Sequence, residues 1–365
     1  MMHNKGVINM PVLFGKHLSK QEYLRKVGDI DQCFGLRPVE YTSGKAAMIR
    51  ACDVDLASGL HFSVNESKNL DMFKFVYKGI SYGFVTKASL SAPWICDEQG
   101  LAYRNNLGAG FLYTCGLSNV GEGCEEDGFY HYVHGNLKNI PARNVCRETI
   151  WNGDDCDVRI AGEIRDAAFF GRNLLLHREY RARIGEKRIF IEDCFENQGF
   201  APEQLMLLYH MNLGYPILDE GTELIAPVER VEPLSEHTRR NDVNYARMIP
   251  PIDNNTEYLH ALTLRSGTDG RTLVAAYNAH LNLGLYVRYN TDLMRYLIEW
   301  KCMSSGDYAL GVLPASCKPV GRAADRASGE MRSIAPGEVL HAKLEIGVID
   351  GAAELDAIRS EINRL

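Results

Sequence analysis

Leu208-Tyr209-His210-Met211-Asn212-Leu213-Gly214-Tyr215-Pro216 is an apolar run that carries a histidine and an asparagine and ends in a Gly/Pro turn. Side chains of a strand point alternately to opposite faces, so His210 and Asn212 share a face. A strand end that offers an imidazole and an amide to one pocket suits proton transfer on a polar ligand. The same pair also suits a core histidine tied down by a hydrogen bond, because buried polar groups are normally paired.

The surrounding chain has the rhythm of a β protein. From about residue 35 to about residue 347, short apolar runs are separated by Gly, Asn, Asp and Ser, the pattern of a sandwich or barrel. Tyr180, Ala182 and Ile184 alternate with arginines and turn through Gly185-Glu186 into Ile189-Phe190-Ile191. Asn152-Gly153-Asp154 marks a second hairpin turn. Asp269-Gly270 marks a third, joining His260–Leu264 to Leu273–Tyr277. Leu285, Val287 and Tyr289 alternate with polar neighbours as a further strand. Thr291 to Trp300 reads as a short helix or turn. Ser19-Lys20-Gln21-Glu22 has the form of a capping box opening a short helix. Ala352 to Leu365 places Leu355, Ile358 and Ile362 at helical spacing, as in a surface helix. No βαβ alternation is present, which argues against a dinucleotide-binding fold. The expected architecture is mostly antiparallel β with short peripheral helices: a lead-in over 1–34, one β domain over 35–347 and a terminal helix over 348–365.

The totals narrow the function classes. A net charge of -7 over 365 residues, without a basic stripe, argues against nucleic acid or an anionic membrane as partner. No window is apolar and long enough to span a bilayer, and the first fifteen residues lack a secretory pattern. The ten cysteines are scattered, with no C-x-x-C pair, so free thiols in the cytoplasm are expected.

Polar groups concentrate in four segments: Lys68–Met72, Gly110–Gly121, Tyr130–Arg143 and the His210 stretch. Much of their Asn and Gly content is also what turns require. His131 and His134 are three apart, opposed on a strand but able to converge on a turn. A metal would need a third ligand from elsewhere, so no cofactor is expected, with a divalent metal as the alternative. No phosphate-binding loop motif occurs.

The order of His134-Gly135 followed by His210-Met211-Asn212-Leu213-Gly214 resembles that of the galactose mutarotase (aldose 1-epimerase) superfamily. The chain is most similar to its divergent bacterial branch of DUF4432 type, through about residues 20 to 347. The most specific segment is Thr114-Cys115-Gly116-Leu117-Ser118-Asn119-Val120-Gly121. Others are Ser58–Phe62, Lys68–Met72, Tyr77–Ile80, His134–Ala142, Leu207–Pro216, Glu299-Trp300-Lys301 and Gly311–Ala315.

The resemblance implies a β-supersandwich with a sugar in an open cleft. Mutarotases open a pyranose ring: a base takes the anomeric hydroxyl proton while an acid protonates the ring oxygen. By motif, His210 would be the acid, and His134 would hold a sugar hydroxyl or share the proton. Asn212 stands in the ligand set, with orientation of its neighbours as its expected role. The family's base is a Glu on a late strand, and here Gly311-Val312-Leu313-Pro314 puts Leu313 in its place. Leucine takes no proton, so another carboxylate must serve, or the reaction is another one. Glu257 is the favoured substitute over Glu299 and Asp307, because a strand alternating Glu257 and Leu259 could aim it at the cleft with His260 on the other face. Lys68 stands where the branch has Arg, keeping the charge without the bidentate fork. Trp300, favoured over Trp94 and Trp151, would stack on a sugar face. Arg143 and Arg322 would hold hydroxyls or a carboxylate, and Asp71, Asn119, His131 and Asn139 complete the expected ligand set.

Three functions follow as expectations. The first is an aldose 1-epimerase-like isomerase acting on a free sugar or sugar derivative, with a homodimer left open. The second is a non-catalytic sugar-binding or sensing protein that lost the base. The third is an isomerase, lyase or hydratase acting on an oxidised sugar.

Overall fold

The computed structural model describes residues 12–95, 100–126, 128–241 and 243–365. They form antiparallel sheets with four short α-helices. Two large sheets face each other. The eight-stranded one begins with four consecutive strands between Arg143 and Asn197, each hairpinned to the next, and continues through Val339–Asp350. The turns at Asn152-Gly153 and Gly185-Glu186 sit where the sequence places them. The seven-stranded sheet has strand Glu203–Gly214 second from one edge, between Leu112–Leu117 and Asp307–Ala315, and extends through Tyr296–Ser304 and Glu257–Leu264 to Val228–Pro233. A five-stranded meander starting at Gly35 packs alongside.

Alternation explains how strand Glu203–Gly214 serves two surfaces. Leu207, Tyr209, Met211 and Leu213 enter the large core shared with the opposite sheet, beside Leu176, Ile191, Val287 and Ile346. Leu208 points the other way, into a second cluster with Tyr113, Cys115, Ile298 and Leu313. His210 and Asn212 share that second face. Burial on both sides accounts for the near-continuous apolar run.

The capping box is present: the Ser19 side chain accepts from the Glu22 N–H, and Glu22 answers the Ser19 N–H. The terminal helix runs Ala352–Ile362 and lays Leu355, Ile358 and Ile362 on Leu273, Ala275 and Ile349.

Two sequence expectations fail. The arms of the Asp269-Gly270 turn do not pair. Glu257–Leu264 bonds Tyr296–Ser304 and Val228–Pro233, whereas Arg271–Asn278 belongs to the other sheet. The turn is a crossover between sheets. And residues 296–304 form a strand, not a helix or turn. Its alternation was obscured because Glu299 and Lys301 point inward, fully buried. Glu299 Oε2 meets His260 Nδ1 at 2.7 Å, and Lys301 Nζ lies 3.4 Å from Glu299 Oε1. Lys301 also donates to the carbonyls of Asn244, Tyr245 and Arg247. Buried charge is tolerable when it is paired and hydrogen-bonded in this way.

A second buried network backs the His210 strand. The Arg178 guanidinium donates to both oxygens of Asp193, to Asp71 Oδ1 at 2.8 Å and to Thr114 Oγ1 at 3.0 Å. Tyr209 donates to Asp193 at 2.6 Å. Five strands are tied together at one point directly behind His210.

Candidate active site

The outer face of the seven-stranded sheet opens into a cleft of about 500 Å³. His210, Asn212, His134, Glu257, Trp300 and Leu313 all line it. The His210 ring lies 6.1 Å from that of His134 and 5.3 Å from that of Trp300, each edge-on. Trp300 Nε1 donates to Glu257 Oε2 at 2.7 Å, so the indole fixes one carboxylate oxygen at the cleft wall. Glu257 and Leu259 share this wall, and His260 faces the interior with Glu299.

Burial sets the electrostatics. It pushes His210 down from 6.5 to about 4, with a smaller opposing contribution from Asn212. His134 falls to about 3, chiefly through burial, then through repulsion from His210 and Lys138. Both rings are therefore neutral near pH 7. His210 Nδ1 is buried and has no hydrogen-bond partner among the described residues. Buried polar atoms are nearly always paired, and this one stands out for being left without a partner. Asn212 donates to the carbonyls of Gly110 and His210, each at 3.1 Å, and so steadies the backbone around the histidine.

His134 sits in a turn and not on the strand that carries His131. Its φ is +60°, in the left-handed region that non-glycine residues rarely adopt. The next residue must be glycine, because a Cβ on Gly135 would come within 2.2 Å of the Gly116 carbonyl oxygen.

The other expected ligands lie elsewhere. Asp71 belongs to the Arg178 network and accepts from the Thr114 N–H and hydroxyl. With Lys68, whose Nζ donates to the Ser91 carbonyl, it borders a small cavity of about 20 Å³ that touches the cleft only through Ala109 and Tyr113. Asn119 is fully buried and stitches a loop, donating to the carbonyls of Glu122 and Tyr132 and accepting from the Arg322 N–H. Arg322 itself binds Glu126 and the Ser118 carbonyl. His131 is buried on the strand Phe129–His131, and Asn139 ends a 3-10 turn; neither is among the cleft-lining residues. Arg143 pairs with Glu163 at 3.3 Å on the other large sheet. Of the alternative bases, Glu299 is in the core and Asp307 pairs with Lys87 at 2.7 Å on the surface. Among the described residues no three His, Cys, Asp or Glu side chains converge as a metal site.

Arg104 is a cleft residue that sequence reasoning missed. It lies on the 3-10 segment Gly100–Asn105, beside Tyr103, and is the one Lys or Arg among the described cleft-lining residues. Hydrogen bonding to Tyr103 and the charge of Glu257 raise its pKa. Nothing in a single exposed arginine on a loop distinguishes it in the sequence.

A sandwich of two large antiparallel sheets with an open cleft on one of them is the fold of galactose mutarotase-like proteins. Residues 46–348 match the model of a family described as a domain of unknown function, DUF4432, and the chain belongs to that family. No curated protein matches it by sequence. Among solved structures it is similar to a candidate aldose 1-epimerase from Klebsiella pneumoniae, with 19% identity, a TM-score of 0.86, and 92% of this chain and 90% of that one covered. A galactose mutarotase-like protein from Clostridium acetobutylicum gives 12% identity, 87% and 99% coverage and a TM-score of 0.61. Galactose 1-epimerase from Lactobacillus acidophilus gives 13%, 87% and 100%, and 0.55. At these identities the likeness is one of fold. No helix of the described residues is long and apolar enough to cross a membrane.

Proposed function

We propose that the cleft binds a free sugar or sugar derivative and interconverts its anomers by acid–base ring opening. The observation that carries this reading is the meeting of His210, His134 and a Trp300-anchored Glu257 in one cleft of a mutarotase-like fold. Trp300 offers an aromatic face against which a pyranose can pack. Glu257 takes the anomeric hydroxyl proton, protonated His210 gives a proton to the ring oxygen, the C1–C2 bond rotates, and the ring closes on the other face. Because burial holds His210 near 4, only about one molecule in a thousand carries the required proton at pH 7. The rate should therefore climb roughly tenfold per pH unit as the solution is acidified from about pH 7 toward about pH 5.

A second reading is favoured by Leu313, which lines the cleft where this fold's base is expected: a protein that binds or senses sugars without catalysis. Anomer exchange followed by NMR over a panel of aldoses separates the two. Exchange above buffer background that disappears in His210→Ala and falls sharply in Glu257→Gln supports the isomerase. Saturable binding without exchange on any sugar replaces it with the binding protein.

A further inference from the structure

His134 is held on three sides. Its N–H donates to the Gly121 carbonyl at 3.0 Å, its carbonyl accepts from the Gly116 N–H at 3.0 Å, and the Gly121 N–H donates to its ring Nδ1 at 3.2 Å. The first and last of these form a reciprocal pair between residues 121 and 134. Position 121 is itself closed to other residues: φ is +94°, and a Cβ there would stand 2.4 Å from the Pro319 carbonyl oxygen. The left-handed backbone at His134 adds local strain of the kind that persists where the surroundings over-determine a conformation, often at working sites.

The consequence lies in the tautomer. A backbone N–H can only donate, so Nδ1 must be the acceptor, and the proton of the neutral ring must reside on Nε2. Nε2 is the ring nitrogen left for the cleft. The ionisable groups acting on this ring are His210 and Lys138, and Glu122 lines the same cleft. The ammonium of Lys138, bound to the Val133 and Gly135 carbonyls, and the His210 ring both disfavour a second proton.

We propose that His134 is a locked, neutral hydrogen-bond donor whose Nε2–H stabilises negative charge developing on a ligand oxygen, and that it passes no proton. The ligand oxygen it takes is an electron-rich one: a hydroxyl being deprotonated, or the carbonyl of an opened sugar. Proton transfer then falls to His210 and Glu257 alone. This role rests on the proposed anomer exchange for its catalytic meaning, but the tautomer does not.

The first test is therefore independent of activity. In histidine-15N-labelled protein, long-range 15N–1H spectra assigned through His134→Gln should show an acceptor-type Nδ1 and a protonated Nε2, unchanged between about pH 5 and about pH 8. A protonated Nδ1, or a ring that titrates in that interval, overturns the proposal whether or not the protein catalyses anything. The second test uses anomer exchange. His134→Ala should lose about 10²–10³-fold in kcat, the usual effect of removing one oxyanion donor. His134→Gln, which keeps an N–H at the Nε2 position, should recover to within about tenfold of wild type with the same pH profile. Equal loss in both folded variants overturns the donor role. If wild type shows no exchange while the spectra are as expected, the tautomer stands and the isomerase reading falls.

Discussion

Acidification should destabilise this protein through its cleft. His210 and His134 have folded-state pKa values of about 4 and about 3, against 6.5 for a free imidazole. A depressed histidine is neutral when folded and protonated when unfolded throughout that interval. The unfolded state then binds more protons, so stability is fully present above 6.5 and is lost as the pH falls toward the folded values. Each pKa unit is about 1.4 kcal/mol, so lowering the pH from about 7 to about 4 costs at most about 3 kcal/mol per histidine. That is a large part of the few to fifteen kcal/mol that stabilise a typical domain. Urea unfolding across this range, for wild type and for a His134→Gln/His210→Gln double variant, isolates the effect, since the carboxylates are common to both. The wild-type curve should fall more steeply below about pH 6.5 than the variant's. A constant difference between the two curves at every pH would refute the claim that the imidazoles are buried neutral.

Three other outcomes are expected. Arg178→Met leaves Asp193 and Asp71 as unpaired buried carboxylates and should cost about 3–5 kcal/mol in chemical denaturation; less than about 1 kcal/mol would deny that the network organises the back of the sheet. Gly135→Ala places a methyl against the Gly116 carbonyl oxygen at a left-handed φ and should cost more than about 3 kcal/mol, visible as a loss of thermal stability; a wild-type melting curve would show that the turn relaxes freely. Leu313→Glu supplies a carboxylate at the cleft wall and should raise anomer exchange by about 10²-fold, at a cost of about 2–4 kcal/mol for lost apolar burial and a desolvated charge; binding without any gain in exchange would place this position out of reach of the anomeric centre.

Much of this architecture is legible from residue order, and the misses have physical causes. The hairpins through Asn152-Gly153 and Gly185-Glu186 are local, and so are their signals. The turn at Asp269-Gly270 carries the same signal, yet its arms join different sheets, because turn chemistry says nothing of what the arms pair with. Strand Tyr296–Ser304 was hidden by Glu299 and Lys301, charges that look solvent-facing until His260 and three backbone carbonyls are brought to them by the fold. The site divides the same way. His210, His134, Glu257 and Trp300 do meet in the cleft. Asp71, Asn119 and Arg322 do not, because a buried hydrogen-bond network and a ligand pocket draw on the same residue types.

The position of Met211 bears on how the molecule comes together in time. It pairs with Leu112 on one side and Val312 on the other, partners each about a hundred residues distant along the chain. Such pairings must first overcome the entropy of closing long loops, and they arise late in folding. The hairpins between Arg143 and Asn197 face no such barrier and can zip in succession. The strand that carries His210 thus has no hairpin partner of its own and is held only by segments far away along the chain. Its opening should be inseparable from global unfolding: amide protons of residues 208–212 should exchange at the slowest rate the protein shows, and ligand capacity should vanish in one step with the rest of the structure.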